Sequence, residues 1–231
     1  MKAFRADMVS GILIIVVILC LSACSDEARI PGLNELLHPA DSVWDWRPVF
    51  EDTFSGSSVD SSRWGKAWDV TFFSLSDGRM TTEKGYSWMK APPMSNYAVE
   101  FDFIKQDQTD RDSYLRLQFR TPESLGHNPY LYMVVFRPVG IFYYDPQSET
   151  GGKLSDLGTN VGDPPLYVRV EVLDGWITVS TKTSSGALFD QQGDPLYVDA
   201  LLGQPTHMCF YDYQVKTSVD NVRVYAERQD M

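Results

Sequence analysis

Two stretches of this sequence place polar side chains at a spacing that could do chemistry. In Tyr97–Lys105, Glu100 and Asp102 alternate with Phe101 and Phe103. Alternate residues of an extended strand share a face, with Cα atoms about 6.6 Å apart. Two carboxyl groups about 5–5.5 Å apart supply the nucleophile and the acid/base of a retaining glycoside hydrolysis, so this spacing permits that chemistry. In the second stretch Arg116, Gln118 and Arg120 alternate with Leu115, Leu117 and Phe119. Planar polar groups of this kind hold sugar hydroxyls when aromatic rings cover the sugar's C–H faces. Tyr130, Tyr132, Tyr211 and Tyr213 are candidate rings. The candidate ligand-binding set is therefore Glu100, Asp102, Arg116, Gln118, Arg120, Tyr132 and Tyr213, provided the two strands turn their polar sides to one surface. The same alternation also describes the wet outer face of a sheet that binds nothing.

Other catalytic sets are thin. His38, His127 and His207 stand far apart in the chain, and neither a His-x-x-x-His spacing nor a Gly-x-Ser-x-Gly elbow occurs. The six tryptophans, Trp44, Trp46, Trp64, Trp68, Trp88 and Trp176, read as core or edge cover.

The elements that would carry these residues are strands. From Val49 onward the apolar period is two: Tyr97, Val99, Phe101 and Phe103, then Leu115, Leu117 and Phe119, then Leu166, Val168, Val170 and Val172. Leu131 to Tyr144 reads as two strands joined near Pro138-Val139-Gly140. Asp174-Gly175 marks a hairpin into Trp176–Thr181. Aromatic residues make up 13% of the chain, enough to fill the space between two sheets. The expectation is an all-β antiparallel sandwich of the jelly-roll kind, with an up-and-down barrel as the rival.

The N-terminus reads as a leader. Lys2 and Arg5 precede the apolar run Gly11–Leu21, which ends in Leu21-Ser22-Ala23-Cys24. That run spans roughly 16 Å as a helix, about half of a roughly 30 Å hydrocarbon core, so it is too short for a spanning anchor. Leu-Ser-Ala-Cys resembles the lipobox of bacterial lipoproteins. The resemblance implies a signal peptide over 1–23, lipidation of Cys24, a tether over 24–43 and a β domain over 44–231. It also implies a cell-envelope location on the outer membrane, with periplasmic or surface orientation left open. The formal net charge is −11, and loss of Lys2, Arg5 and Asp7 with the leader makes it one unit more acidic. Such a balance disfavours nucleic acid and anionic headgroups, so membrane attachment is expected from the lipid. Cys20 would leave with the leader and Cys24 would carry lipid. Cys209 then has no intrachain partner and reads as a small buried hydrophobe.

The order of motifs adds a further resemblance. Phe50-Glu51-Asp52-Thr53-Phe54 followed by Trp64, the strand 97–103, Val168–Val172 with Asp174-Gly175, and the closing Asp220-Asn221-Val222-Arg223-Val224 together resemble the concanavalin A-like lectin/glucanase superfamily. That superfamily includes laminin-G-like and 3-keto-disaccharide hydrolase-like domains. The resemblance implies two antiparallel sheets with carbohydrate on a concave face or its edge loops. It also implies a structural Ca²⁺ near the first and last strands, where Glu51 and Asp220 are the candidate ligands. The retaining glycosidases of this fold carry Glu-x-Asp-x-x-Glu, but here Lys105 stands where the last carboxylate belongs. Three functions stay open: a lipid-anchored carbohydrate-binding or glycan-processing accessory protein, a glycoside or 3-keto-glycoside hydrolase, and a structural or adhesive module without a small ligand.

Overall fold

The computed structural model describes residues 46–105, 115–122, 130–137, 140–147, 149–155, 166–212 and 217–227. The chain divides into two units, Met1–Asp45 and Trp46–Met231, and all described residues belong to the second. The leader, Cys24 and the tether, together with His127 and Tyr213, lie outside the described residues.

Among the described residues fourteen strands follow one another: β1 (Trp46–Asp52), β2 (Trp64–Ser76), β3 (Arg79–Met89), β4 (Tyr97–Lys105), β5 (Leu115–Arg120), β6 (Tyr132–Arg137) and β7 (Gly140–Asp145). Then come β8 (Thr150–Ser155), β9 (Leu166–Leu173), β10 (Trp176–Lys182), β11 (Asp190–Gln191), β12 (Leu196–Tyr197), β13 (His207–Asp212) and β14 (Thr217–Glu227). The pairings are antiparallel, in the order β11-β10-β9-β4-β14-β3-β13-β5-β6-β7-β8, with β1 on β14, β12 on β10 and β2 on β3.

This path forms two sheets because β3 passes from one to the other. Its first residues, Met80–Thr82, pair with Val219–Thr217 of β14, and its later ones, Gly85–Trp88, pair with Asp212–Cys209 of β13. Where β3 has left β14, β1 takes its place against Val222–Glu227. The result is a sandwich, as expected, and not a barrel.

The apolar alternation read from the sequence becomes the inner faces. Phe101 of β4 lies edge-on to Phe210 of β13 at 5.0 Å and to Phe136 of β6 at 5.5 Å. Tyr97 of β4 meets Phe119 of β5 at 6.2 Å. Val168, Val170 and Val172 from β9 and Ile177 and Val179 from β10 extend the same core. Full burial of such side chains contributes about 1.5–3 kcal/mol each. Cys209 is buried and free, as the sequence suggested, and burial pushes its thiol up to about 12.

Two Asp-Gly turns set the register. Asp174 and Gly175 both take left-handed backbone angles (φ 47° and 81°), as do Asp77 and Gly78 (φ 54° and 71°). These are the angles a tight hairpin between right-twisted strands requires, and glycine meets them without steric cost. Asn96 secures the first turn, its Oδ1 accepting the Asp174 N–H at 2.9 Å. Asn221 (φ 50°) forms a bulge between β14 and β4, where pairing shifts from Asp220↔Asp102 to Arg223↔Glu100.

Candidate functional site

The sandwich separates the two polar strands that the sequence treats as one surface. The strands β4 and β5 are consecutive but belong to opposite sheets: β4 pairs with β14 and β9, and β5 pairs with β13 and β6. Phe101 and Leu117 point inward, so the polar residues beside them point away from each other. Glu100 and Asp102 therefore do not share a face with Arg116, Gln118 and Arg120.

On the outer face of the first sheet the two acids have separate partners. Arg169 donates from Nη1 to Glu100 at 3.2 Å and from Nη2 and Nε to Glu171 at 2.6 and 3.0 Å. Tyr225 donates its hydroxyl to Glu100 Oε2 at 3.2 Å. Asp102 instead accepts from Asn221 Nδ2 at 2.8 Å. Burial holds the Asp102 carboxyl above the ordinary carboxylate range, with Asn221 opposing and the Asp220 charge adding to the rise. Each acid is tied into a cross-strand network, the arrangement of a sheet surface and not of a nucleophile and acid facing one scissile bond.

The candidate calcium ligands also have protein partners. Glu51 accepts from Arg223 Nε at 2.8 Å, and Asp220 accepts the N–H of Asn221 at 2.7 Å. Among the described residues no group of three or more His, Cys, Asp or Glu side chains is placed to hold a metal ion. A depression of about 940 Å³ runs along β1 and the 53–63 loop. Two of its polar side chains have protein partners: Asp52 accepts from Phe54 N and Trp64 Nε1, both at 2.8 Å, and Lys90 donates to the Ser61 carbonyl at 2.7 Å.

The outer face of the second sheet is different. Strand register sets its side chains in rows, since paired residues of antiparallel strands point to the same side. One row runs Trp88, Cys209, Gln118, Met133, Tyr144 across β3, β13, β5, β6 and β7. The next runs Tyr211, Arg116, Val135, Phe142, Lys153, and His207 stands opposite Arg120 in a third. Cations lie against rings throughout. The Arg116 guanidinium is 5.0 Å from the Tyr211 ring, that of Arg137 5.0 Å from Phe142, and that of Arg120 5.7 Å from Tyr130. Lys153 Nζ is 6.0 Å from the Phe142 ring. Such contacts contribute about 0.5–1 kcal/mol at exposed sites and more when desolvated.

This face is not an ordinary wet sheet. Met133 and Val135 form a second small apolar cluster with Tyr130, Phe142 and Tyr144. Gln118 and Arg120 are only 2% and 1% exposed. Burial raises the Tyr130 hydroxyl pKa, opposed by Arg116 and Arg120 and reinforced by Tyr144 and Tyr211, so all five groups sit close together. Burial also lowers the pKa of His207. Trp88 can lie across β2 only because residue 65 is glycine: a Cβ there would come within 2.0 Å of its indole ring.

Of the sequence candidates, Arg116, Gln118 and Arg120 are brought together here with Tyr130 and Tyr211. Tyr132 is not; it faces inward, is 3% exposed and stacks on Tyr143 at 6.2 Å. Its parity within β6 places it opposite Phe119, among core residues. Arg137, Phe142, Tyr144 and Lys153 were missed. The hairpin that pairs Arg137 with Gly140 carries their placement, because it fixes which residues of β6 and β7 share a face.

Solved structures share this architecture. The VIP36 exoplasmic/lumenal domain, in a Ca²⁺/Man₃GlcNAc-bound form, superimposes with a TM-score of 0.55 at 9% identity over 80% of this chain and 92% of its own. The fold is the concanavalin A-like jelly roll. The catalytic domain of an endo-1,3-β-glucanase (laminarinase) from Thermotoga petrophila has the same jelly roll, with a TM-score of 0.56 at 9% identity over 81% of this chain and 100% of its own. So does a structure reported with endo-acting O-glycanases of the human gut microbiota, with a TM-score of 0.55 at 15% identity over 78% of this chain and 99% of its own. No family model and no curated protein matches the sequence. Identities this low establish the jelly roll's shape, and its chemistry must be argued from this chain's own residues.

Proposed function

We propose that this protein binds a carbohydrate chain on the outer face of its second sheet, as an accessory protein of glycan capture or processing. The carrying observation is the interleaving of planar donors with aromatic rings: Arg116 and Arg137 against Tyr211 and Phe142. Rings of this kind cover the C–H faces of a sugar, while guanidinium groups meet its hydroxyls in pairs. Solved jelly rolls of this shape include a mannose-glycan-bound lectin domain and a carbohydrate-binding module from Bacillus subtilis, which supports the reading. Binding is favoured over hydrolysis because Glu100 and Asp102 are engaged by Arg169, Tyr225 and Asn221 on the other sheet.

The proposal includes the envelope location. The Leu21-Ser22-Ala23-Cys24 motif supports lipidation at Cys24, which would hold the domain at a membrane surface. A glycan array followed by calorimetry tests the binding. Affinity for at least one polysaccharide is expected, weakened about tenfold or more, ~1.4 kcal/mol, by Arg116→Ala. No affinity for any glycan, or release of reducing ends from the bound polymer, would overturn the binding reading.

A further inference from the structure

The first sheet carries an aromatic platform of its own. Val172, Ile177 and Leu196 face the core, so their neighbours Leu173, Trp176 and Tyr197 face outward, in one row across β9, β10 and β12. Trp176 and Tyr197 are each 49% exposed, and their rings meet at 5.2 Å and 54° without covering one another. Trp64 shows the contrast: packed by Phe50, Phe54 and Phe210, it is fully buried. Leu202, also exposed, closes the patch beside the Asp174-Gly175 turn. A Cβ on Gly175 would come within 3.1 Å of the Tyr197 ring and 3.4 Å of Leu202. Among the described residues four large apolar side chains are exposed, and three of them gather here. Scattered exposed hydrophobics are ordinary, whereas a gathered patch marks a binding surface. Resting on the carbohydrate reading for its ligand class, we propose that this patch is a second sugar site. An uncharged pyranose ring stacks on Trp176 and Tyr197, and its hydroxyls donate to Asp174 and Asp199.

The rings are held from beneath. Val198 and Leu201, on the segment that carries Tyr197 and Leu202, are buried in the core, and the Val198 N–H donates to the Gly175 carbonyl at 2.8 Å. Asn96 ties the turn to the end of β14: its Oδ1 accepts the Asp174 N–H, and its Nδ2 donates to Asp174 Oδ1 at 3.2 Å and to Glu227 Oε2 at 2.8 Å. A platform fixed in this way spares a ligand much of the cost of ordering the surface it meets.

The polar rim decides the occupant. Asp174 and Asp199 are exposed beside the rings, the first accepting from Asn96 and the second from the Tyr197 hydroxyl at 3.4 Å. An ionised carboxylate has about four acceptor positions, so both can take further O–H donors. A pyranose ring offers an apolar C–H face and hydroxyl donors together, which matches rings bordered by acceptors. A purely apolar partner would desolvate both carboxylates without replacing their hydrogen bonds, and an anionic headgroup would meet like charge.

Calorimetry of the full chain with laminarin and with mannan, beside an array of neutral glycans, tests the assignment. At least one of these is expected to bind with an affinity that falls about tenfold or more in Trp176→Ala and in Tyr197→Ala. Both side chains are half-exposed, and urea midpoints check that the variants remain folded. Trp176→Phe, which keeps a ring, should keep most of the affinity. Leu188→Ala, which alters an exposed apolar side chain in the loop from β10 to β11, should match the parent. Glycan binding unchanged in both Trp176→Ala and Tyr197→Ala would overturn this inference and leave carbohydrate binding standing. No binding to laminarin, mannan or any arrayed glycan would remove both. Self-association of the parent that Trp176→Ala abolishes, with glycan binding unchanged, would assign the patch to a second copy of the chain and overturn the sugar site.

Discussion

Arg120 gives two hydrogen bonds to one acceptor, Oε1 of Gln118, from Nε at 3.0 Å and Nη2 at 2.8 Å, and both residues are almost fully buried on a face that points away from the core. A polar pair buried outside the core needs its hydrogen-bonding groups satisfied, and each residue supplies part of what the other needs. Arg120→Ala should therefore destabilise the fold by about 1–3 kcal/mol by stranding the Gln118 amide, beyond any effect on binding. Urea unfolding with an unchanged midpoint would contradict the buried placement.

Phe101 touches both Phe210 and Phe136 across the sandwich. Phe101→Ala should cost about 3–5 kcal/mol, the range for deleting a buried aromatic ring, with no change in the far-ultraviolet signature of β structure. A loss under 1 kcal/mol, roughly a single methylene's worth, would mean that the two sheets do not meet there.

Asp102 supplies a pH test. Burial raises its pKa in the folded state, so between the unfolded value near 3.9 and the raised folded value the native protein binds the extra proton. Stability contributed by this group thus falls as pH rises through that window. Asp102→Asn keeps an acceptor for Asn221 Nδ2 and removes the charge. It should raise the urea midpoint at pH 7, with the gain disappearing below about pH 3.9. A variant less stable than the parent at pH 7 would show that the carboxylate is stabilised by its neighbours.

Gly65→Ala should push the Trp88 indole off β2, because the added carbon would sit 2.0 Å from the ring. The expected signs are a shift in tryptophan emission and a loss of about 1–3 kcal/mol, the cost of overpacking. Parent-like emission would place Trp88 elsewhere.

Cys24→Ser should release the protein from membranes, since stable attachment needs the more than one acyl chain that a lipoprotein cysteine carries. Fractionation with intact-mass analysis reads this directly, and an unmodified Cys24 in native membranes would refute it.

Much of this fold is legible in the sequence because strand physics is local. Alternation marks Phe101, Leu117 and Val170 as inward, and Asp174-Gly175 announces its hairpin. Which sheet a strand joins is not local. Glu100 and Arg116 both read as polar outward residues, and only the pairing of β4 with β9 and of β5 with β13 shows that they face opposite ways. Tyr132 fails for a related reason: an aromatic hydroxyl looks like a ligand platform until its parity with Phe119 turns it inward. Arg137 and Phe142 escaped notice because their contact crosses a hairpin and follows no period within either strand.

The pairing of β1 with β14 sets Trp46 directly opposite Glu227. The first and last described strands are thus neighbours, with Trp46 and Glu227 a few ångströms apart. A short peptide could join residue 227 to residue 46 and new ends could be opened at the Asp77-Gly78 turn, giving a circular permutant with every strand pairing kept. The same closeness should let this unit be inserted into a loop of another protein through a single opening, without forcing the host's two chain ends apart.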